Sequence, residues 1–319
     1  MNLGKYANPL NYLRYASNRL YHSPLNRARE QIQSRMISWD AANARIAHLI
    51  IAAQPALVCR MGWVETNICW KYVRRSFWPV PRLSVYNADS RKRATFASGI
   101  AAPDSRSLDR FASIYLASLP FADIIGVWQV KGMNQLVQRL SDPSAVLTEL
   151  AYIEPWVAHA ARAQPWTQAL AGKTVLVVHP FVSSIQAQYE RRYKIKTVCD
   201  LLPDFTLTNI KPPVTFAGSA DANSWAQNLQ GLMGEVAREA FDVALIGCGA
   251  YGLPLGAFVK QLGRIAIHLG GATQLLFGIR GNRWDQRSDF VRLMDENWVR
   301  PLESERPPGA DQLEQACYW

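Results

Sequence analysis

The chain has 319 residues, 49% of them apolar and 19% charged, with a formal net charge of +10. That balance excludes wholesale disorder, and the length suits one large domain or two modest ones. Residues 1–93 carry 15 Lys or Arg against four acids, so the rest is near neutral; such a basic third suits an anionic partner or a plain solvated face.

Residues 1–37 read as a basic arm, with Tyr6, Tyr12, Tyr15 and Tyr21 between short helical pieces and Pro9 and Pro24 as breaks. It contains no continuous apolar leader run. Residues 38–53, SWDAANARIAHLIIAA, have helical spacing, with Ser38 placed to cap and Asp40 in the first turn. ALVC, 56–59, is a short strand that runs into Arg60-Met-Gly62-Trp-Val-Glu65, and TNICWKYVRRSF resumes as helix. Pro79 and Pro81 interrupt the chain. Helix is predicted over 105–120, strand over 123–129, and helix over 132–140 and 144–151. KTVLVV, 173–178, is a buried strand ending in His179-Pro180-Phe181, with a helix from Ser183 to Arg192. A strand over 206–211 and an amphipathic helix over 221–240 follow. Strand 242–246, helix 252–262 and strand 264–269 complete the pattern. Apolar strands alternating with helices predict an α/β, Rossmann-like fold, with a mostly parallel sheet covered on both faces. The domain reading is an arm over 1–37, one domain over 38–302, and a loose tail over 303–319 around Pro307-Pro308-Gly309.

No stretch of about 20 residues reads as a membrane span. The five cysteines form no C-x-x-C pair, which is reduced, cytoplasmic usage. The histidines lack metal-ligand spacing, and neither a Walker loop, a nucleophile elbow nor a nucleic-acid-binding module is present.

The segment DVALIGCGAYGLPLGAF carries Gly247, Gly249 and Gly252 in the G-x-G-x-x-G spacing, between a strand and a helix. Such a turn lets backbone approach phosphate at a helix start. A dinucleotide enzyme also needs an acid at the end of the next strand, and that position is His268. NAD is therefore disfavoured. Two readings stay open: another ligand at this edge, or glycines that serve packing alone.

DVALIGCGAYGLPLGAFVKQLGRIAIHLGGATQLLFGIRGNRWD is similar to the C-terminal half of GT-D-type glycosyltransferases, and LVCRMGWVETN resembles their R-F-G-D-G-E motif. VLVVHPFVSSIQAQYERR, with LLPDF after it, resembles uncharacterised proteins of bacterial surface-polysaccharide gene clusters. The resemblance spans about residues 40–285. It implies transfer of a sugar from a nucleotide-sugar donor to a glycan or lipid-linked acceptor; no nucleic acid is expected as a partner, because the basic, tyrosine-bearing N-terminal third comes with no recognised binding module. In the family the D-x-E pair holds a divalent metal on the donor. Here Arg60, Gly62 and Glu65 match, but Trp63 and Val64 replace the Asp and the second Gly, and His268 replaces the later acid. One carboxylate, Glu65, remains for Mn²⁺ or Mg²⁺, so the chain uses that acid alone, other groups, or no metal.

The resulting candidates are Glu65, His179 and His268 for catalysis, with Glu65 also open to metal or to a helix-dipole role. Donor binding falls to Arg60, Gly62, Ser183, Ser184, Gly247, Gly249, Gly252, Gly270, Gly271, Gln274, Arg280 and Arg283. Asp285 lies in the same loop. Arginines there suit a diphosphate, and helix-start serines suit phosphate. The basic N-terminal region suits peripheral contact with an anionic inner leaflet. The alternative is a non-catalytic nucleotide-sugar or glycan-binding partner of another transferase.

Overall fold

The central strands are short and apolar on both faces, as burial between two helical layers requires, whereas the edge strand Thr206–Ile210 is largely polar and partly exposed. The computed structural model describes residues 32–76, 85–100, 104–215, 223–312 and 316–319. Most of the basic arm expected over 1–37 lies outside them. The strands are β1 (Ala56–Arg60), β2 (Ile124–Val127), β3 (Val146–Glu149), β4 (Thr174–Val178), β5 (Thr206–Ile210), β6 (Val243–Ile246) and β7 (Ile265–His268). They form one sheet in the order β3-β2-β1-β7-β6-β4-β5, and every pairing is parallel. The fold is α/β and Rossmann-like, as the alternation predicts.

Alternate strand residues feed two cores. Leu57, Cys59, Leu176, Val178, Ala244 and Ile246 face one layer. That layer holds α2 (Trp63–Ser76), α4 (Ser105–Ala117), α5 (Met133–Leu140), α9 (Trp225–Arg238) and α10 (Gly252–Gln261). Ala56, Val58, Val175, Val177, Val243 and Leu245 face the other, with α1 (Trp39–Ile51), α6 (Trp156–Ala160), α7 (Val182–Glu190) and α8 (Lys196–Leu201). Another helix, α3 (Ala88–Ser98), packs along α2. Local chemistry starts several of these helices. Asn87 and Asp104 accept the N–H of Ser90 and Ser107, and Ser224 with Gln227 forms a full capping box. Ser38 occupies its expected N-cap position but makes no side-chain cap bond.

One predicted element changes type. Residues 144–151, expected as helix, contain β3, an edge strand paired with β2 from Val146↔Ile124 to Val127↔Glu149. β-branched Val146 and Thr148 favour extended backbone, and Leu147 and Thr148 are fully buried by the neighbouring strand and layers.

Two strand connections diverge at one edge of the sheet. From β4 the chain moves outward to β5, whereas from β6 it moves inward to β7. Parallel sheets open a crevice at the carboxyl ends of strands where connections part in this way. Among the described residues no helix is long and apolar enough to cross a membrane.

Candidate active site

A cavity of about 510 Å³ opens where the carboxyl ends of β1 and β7 lie side by side. β1 ends at Arg60, and the Met61–Gly62 turn leads into α2, whose first turn carries Glu65. β7 ends at His268, and the 3-10 segment Gly270–Phe277 follows. The chain leaving β3 brings Glu154, the turns at Asn282–Asp285 and Ser288–Val291 bring Arg283 and Arg287, and the C-terminal segment brings Tyr318. Trp128 and Trp284 complete the aromatic walls.

Of the cavity's charges, Arg287 pairs with Asp289 at 2.5 Å and Arg283 donates to the Tyr318 hydroxyl at 3.1 Å. Arg60 lies over the Trp128 ring, 5.7 Å from its centroid, a cation–π placement. Glu65 is only 7% exposed. Burial pushes its carboxyl up, opposed by its own backbone N–H, by a hydrogen bond from Ser98 and by the charge of Arg60. A Cβ at Gly62 would fall 2.0 Å from Glu65 Oε2, so glycine is what allows this carboxyl to lie against the turn. Glu154 is half-buried as a residue, yet protein surrounding its carboxyl pushes it up to about 7, against the pull of Arg60 and Arg287. Burial first, then the charge of Arg60, holds His268 down to about 3. It is therefore a neutral ring at physiological pH, and its buried Nδ1 has no partner.

The glycine turn after β6 has three separate uses. A Cβ at Gly247 would meet His179 Cδ2 at 2.5 Å, and one at Gly252 would meet His268 Nε2 at 2.2 Å. Those two glycines let the histidines of the flanking strands pack against backbone. Gly249 has φ +57°, a left-handed bend with open space beside it, and lines the main cavity. A second, narrow pocket of about 70 Å³ adjoins, lined by His179, Gly247, Gly249 and Gln274.

Of the predicted candidates, the main cavity gathers Glu65, His268, Arg60, Gly62, Gly249, Gly270, Gly271 and Arg283. His179, Gly247 and Gln274 line the narrow pocket instead. Gly252 lies beneath His268, outside both. Arg280 is exposed and lines neither, and Asp285 pairs with Arg300. Ser183 and Ser184 correct the phosphate expectation at α7. Glu305 accepts the Ser183 N–H at 2.7 Å, the Ser184 N–H at 3.3 Å and the Ser184 hydroxyl. The donors expected to meet phosphate are already held by a carboxylate of the chain itself. Glu305 belongs to the segment read as a loose tail, whose Ala310, Cys317 and Trp319 are buried. The sequence reading missed Glu154, Arg287, Trp128 and Tyr318. A strand assignment at 146–149 would have put Glu154 just beyond the carboxyl edge.

The donor set does not fit a divalent metal. Where the resembling motif has Asp, Trp63 is 43% exposed and Arg93 lies over its ring at 5.2 Å. Glu65 is the one acid of that turn, and it shares its surroundings with Arg60. Among the described residues no three His, Cys, Asp or Glu side chains are grouped to hold a metal ion. The positive charge at this edge comes from guanidinium groups.

The family described as GT-D fold-like domain matches residues 41–276. No curated protein and no solved structure matches the chain.

Proposed function

The chain belongs to the GT-D-like family, and from that premise we propose that it is a glycosyltransferase. It moves a sugar from a nucleotide-sugar donor to a glycan or lipid-linked acceptor in bacterial surface-polysaccharide or glycoconjugate assembly. It works on the cytoplasmic side, with the basic N-terminal region near anionic lipid. One observation carries the reading. A large carboxyl-edge cavity combines three arginines, two carboxyls raised by burial and several aromatic faces.

Each part answers a demand of the reaction. The acceptor hydroxyl oxygen bonds to the anomeric carbon as the bond from that carbon to the diphosphate oxygen breaks. The electron pair leaves with the nucleoside diphosphate, whose growing charge Arg60, Arg283 and Arg287 stabilise. In an inverting transfer the acceptor proton passes to Glu154, whose carboxyl near 7 is matched to a base working at neutral pH. His268, held neutral, offers its free Nδ1 to a sugar or ribose hydroxyl. Glu65 is a positioning residue that steadies the turn through Ser98 and sets the field at Arg60. No metal enters this scheme, because the acid pair that would hold it is incomplete.

A thermal-shift panel of nucleotide sugars, each with Mn²⁺, Mg²⁺ or EDTA, tests the reading, together with an assay of nucleoside diphosphate release. One nucleotide sugar should raise the melting temperature equally with and without metal. At a hundredfold excess over Kd the stabilisation is about 2.7 kcal/mol. No shift with any of them would overturn the proposal. Binding without diphosphate release to any acceptor would favour the non-catalytic partner, which the replacement of the motif acid by Trp63 already suggests.

A further inference from the structure

The narrow pocket beside the arginine cavity holds two buried polar groups whose orientations are fixed. His179 is 3% exposed. Its Nδ1 accepts from the Phe181 N–H at 3.1 Å, so the ring proton of the neutral imidazole sits on Nε2. No described residue takes up that proton. Gln274 is fully buried. Its Nε2 donates to the carbonyls of Ile279 and Tyr318, both at 3.2 Å, and a flipped amide would set oxygen against oxygen at both contacts. Its Oε1 is thereby fixed as an acceptor, and it has no partner. Buried polar groups are rarely left so. The pocket thus presents one donor and one acceptor between apolar walls that include Phe181, Pro212 and Pro213.

Size narrows the occupant. The pocket measures about 70 Å³, less than half of the roughly 150 Å³ that accommodates benzene. A nucleobase ring is too large. A single hydroxyl would satisfy both polar groups but leave most of the apolar wall bare. A secondary amide carrying a methyl group supplies a C=O, an N–H and an apolar end in four heavy atoms. Ser98, Gly249, Gly271 and Tyr318 line both this pocket and the main cavity, so a substituent on a sugar in the cavity can enter it.

We propose that the pocket receives the acetamido group of an N-acetylated sugar. The acetamido carbonyl accepts from His179 Nε2–H, its N–H donates to Gln274 Oε1, and its methyl lies against the proline and phenylalanine wall. The inference rests on the glycosyl-transfer reading of the adjoining cavity and names the class of sugar it handles.

Calorimetric titration of the full chain with matched pairs tests it: UDP-N-acetylglucosamine against UDP-glucose, and UDP-N-acetylgalactosamine against UDP-galactose. Saturation-transfer NMR with N-methylacetamide, and with free N-acetylglucosamine against glucose, probes the pocket without the nucleotide. The acetylated member of a pair should bind at least tenfold more tightly, and the amide probe should show transfer. His179→Asn retains an acceptor for Phe181 but removes Nε2–H, and in folded variant protein the ratio should collapse toward one. Should no nucleotide sugar bind while N-methylacetamide and N-acetylglucosamine show transfer that glucose lacks, the transferase reading falls and the pocket assignment stands. Equal binding within each pair that binds, or no transfer from the amide probe, overturns the assignment.

Discussion

Two strand-to-helix turns at the same edge of the sheet invite comparison. β1 runs through Arg60 into α2, and β4 runs through His179 into α7. Both place a polar residue at a strand end and point a helix start toward the crevice. Yet Glu305, from 121 residues away in the chain, takes the first N–H groups of α7, and the Leu302 N–H donates to Ser184 Oγ at 2.9 Å. That end is sealed. The α2 turn instead keeps Arg60 over an aromatic face and Glu65 under desolvation. A helix start can bind an anion, but only if its donors are still free. The difference teaches that a remote carboxylate closes one helix start, while at the other a carboxyl of the helix itself does so and leaves Arg60 lining the cavity.

Substitutions can break or sharpen this contrast. The largest effect should come from the open side. Glu154→Gln should lower turnover by roughly 10²–10⁴ and remove the limb near pH 7 from the rate profile; an unchanged profile would return the base role to another group. Arg60→Ala should lower turnover by roughly 10²–10³, with Arg60→Lys recovering part of it, while the melting temperature stays close to that of the parent. On the sealed side, Glu305→Ala should cost about 1–3 kcal/mol of stability, since it strands buried donors. Denaturant titration would measure that loss, and turnover per folded molecule should hold. If the folded fraction is instead inactive, the two turns are not as distinct as drawn. Gly252→Ala drives a Cβ into the His268 ring and should cost about 1–3 kcal/mol by overpacking.

The smallest effect per step is in pH. His179 and His268 are both held down to about 3 by burial, against 6.5 for a free ring. Their stabilisation is complete above 6.5 and is lost as pH falls toward 3, by up to about 1.4 kcal/mol per pH unit each. Glu154, raised from 4.5 to about 7, runs the other way, losing its contribution as pH rises through 7. Melting temperatures between pH 6.5 and 4 should therefore decline less steeply in His268→Asn than in the parent. Equal slopes would show that His268 already carries its proton in the fold.

Much of the framework is legible in the sequence. KTVLVV, DVALI and RIAIHL are apolar on consecutive positions, and only a sheet covered on both faces buries such runs. Arg60, Glu65 and His268 were found because each sits at or just past one of those strands. β3 escaped because four residues, VLTE, are too few to distinguish extended from helical spacing, and that error hid Glu154. Glu305 escaped because its partners lie in another third of the chain and Pro307-Pro308-Gly309 suggested a free end. Local pattern reveals strands, but not which remote carboxylate will claim a helix start.

The strand order has a consequence for how the molecule comes into being. Among the described strands β1 comes first in the chain, and it pairs with β7, the last of them, about 200 residues later. Until β7 arrives, one side of this central apolar strand lacks its neighbour, and long-range pairing of this kind is slow and prone to misassociation. The wall shared by Arg60 and His268 is therefore among the last parts to form. A chain stopped before residue 265 would keep many of its helices but expose a hydrophobic strand edge in place of a site.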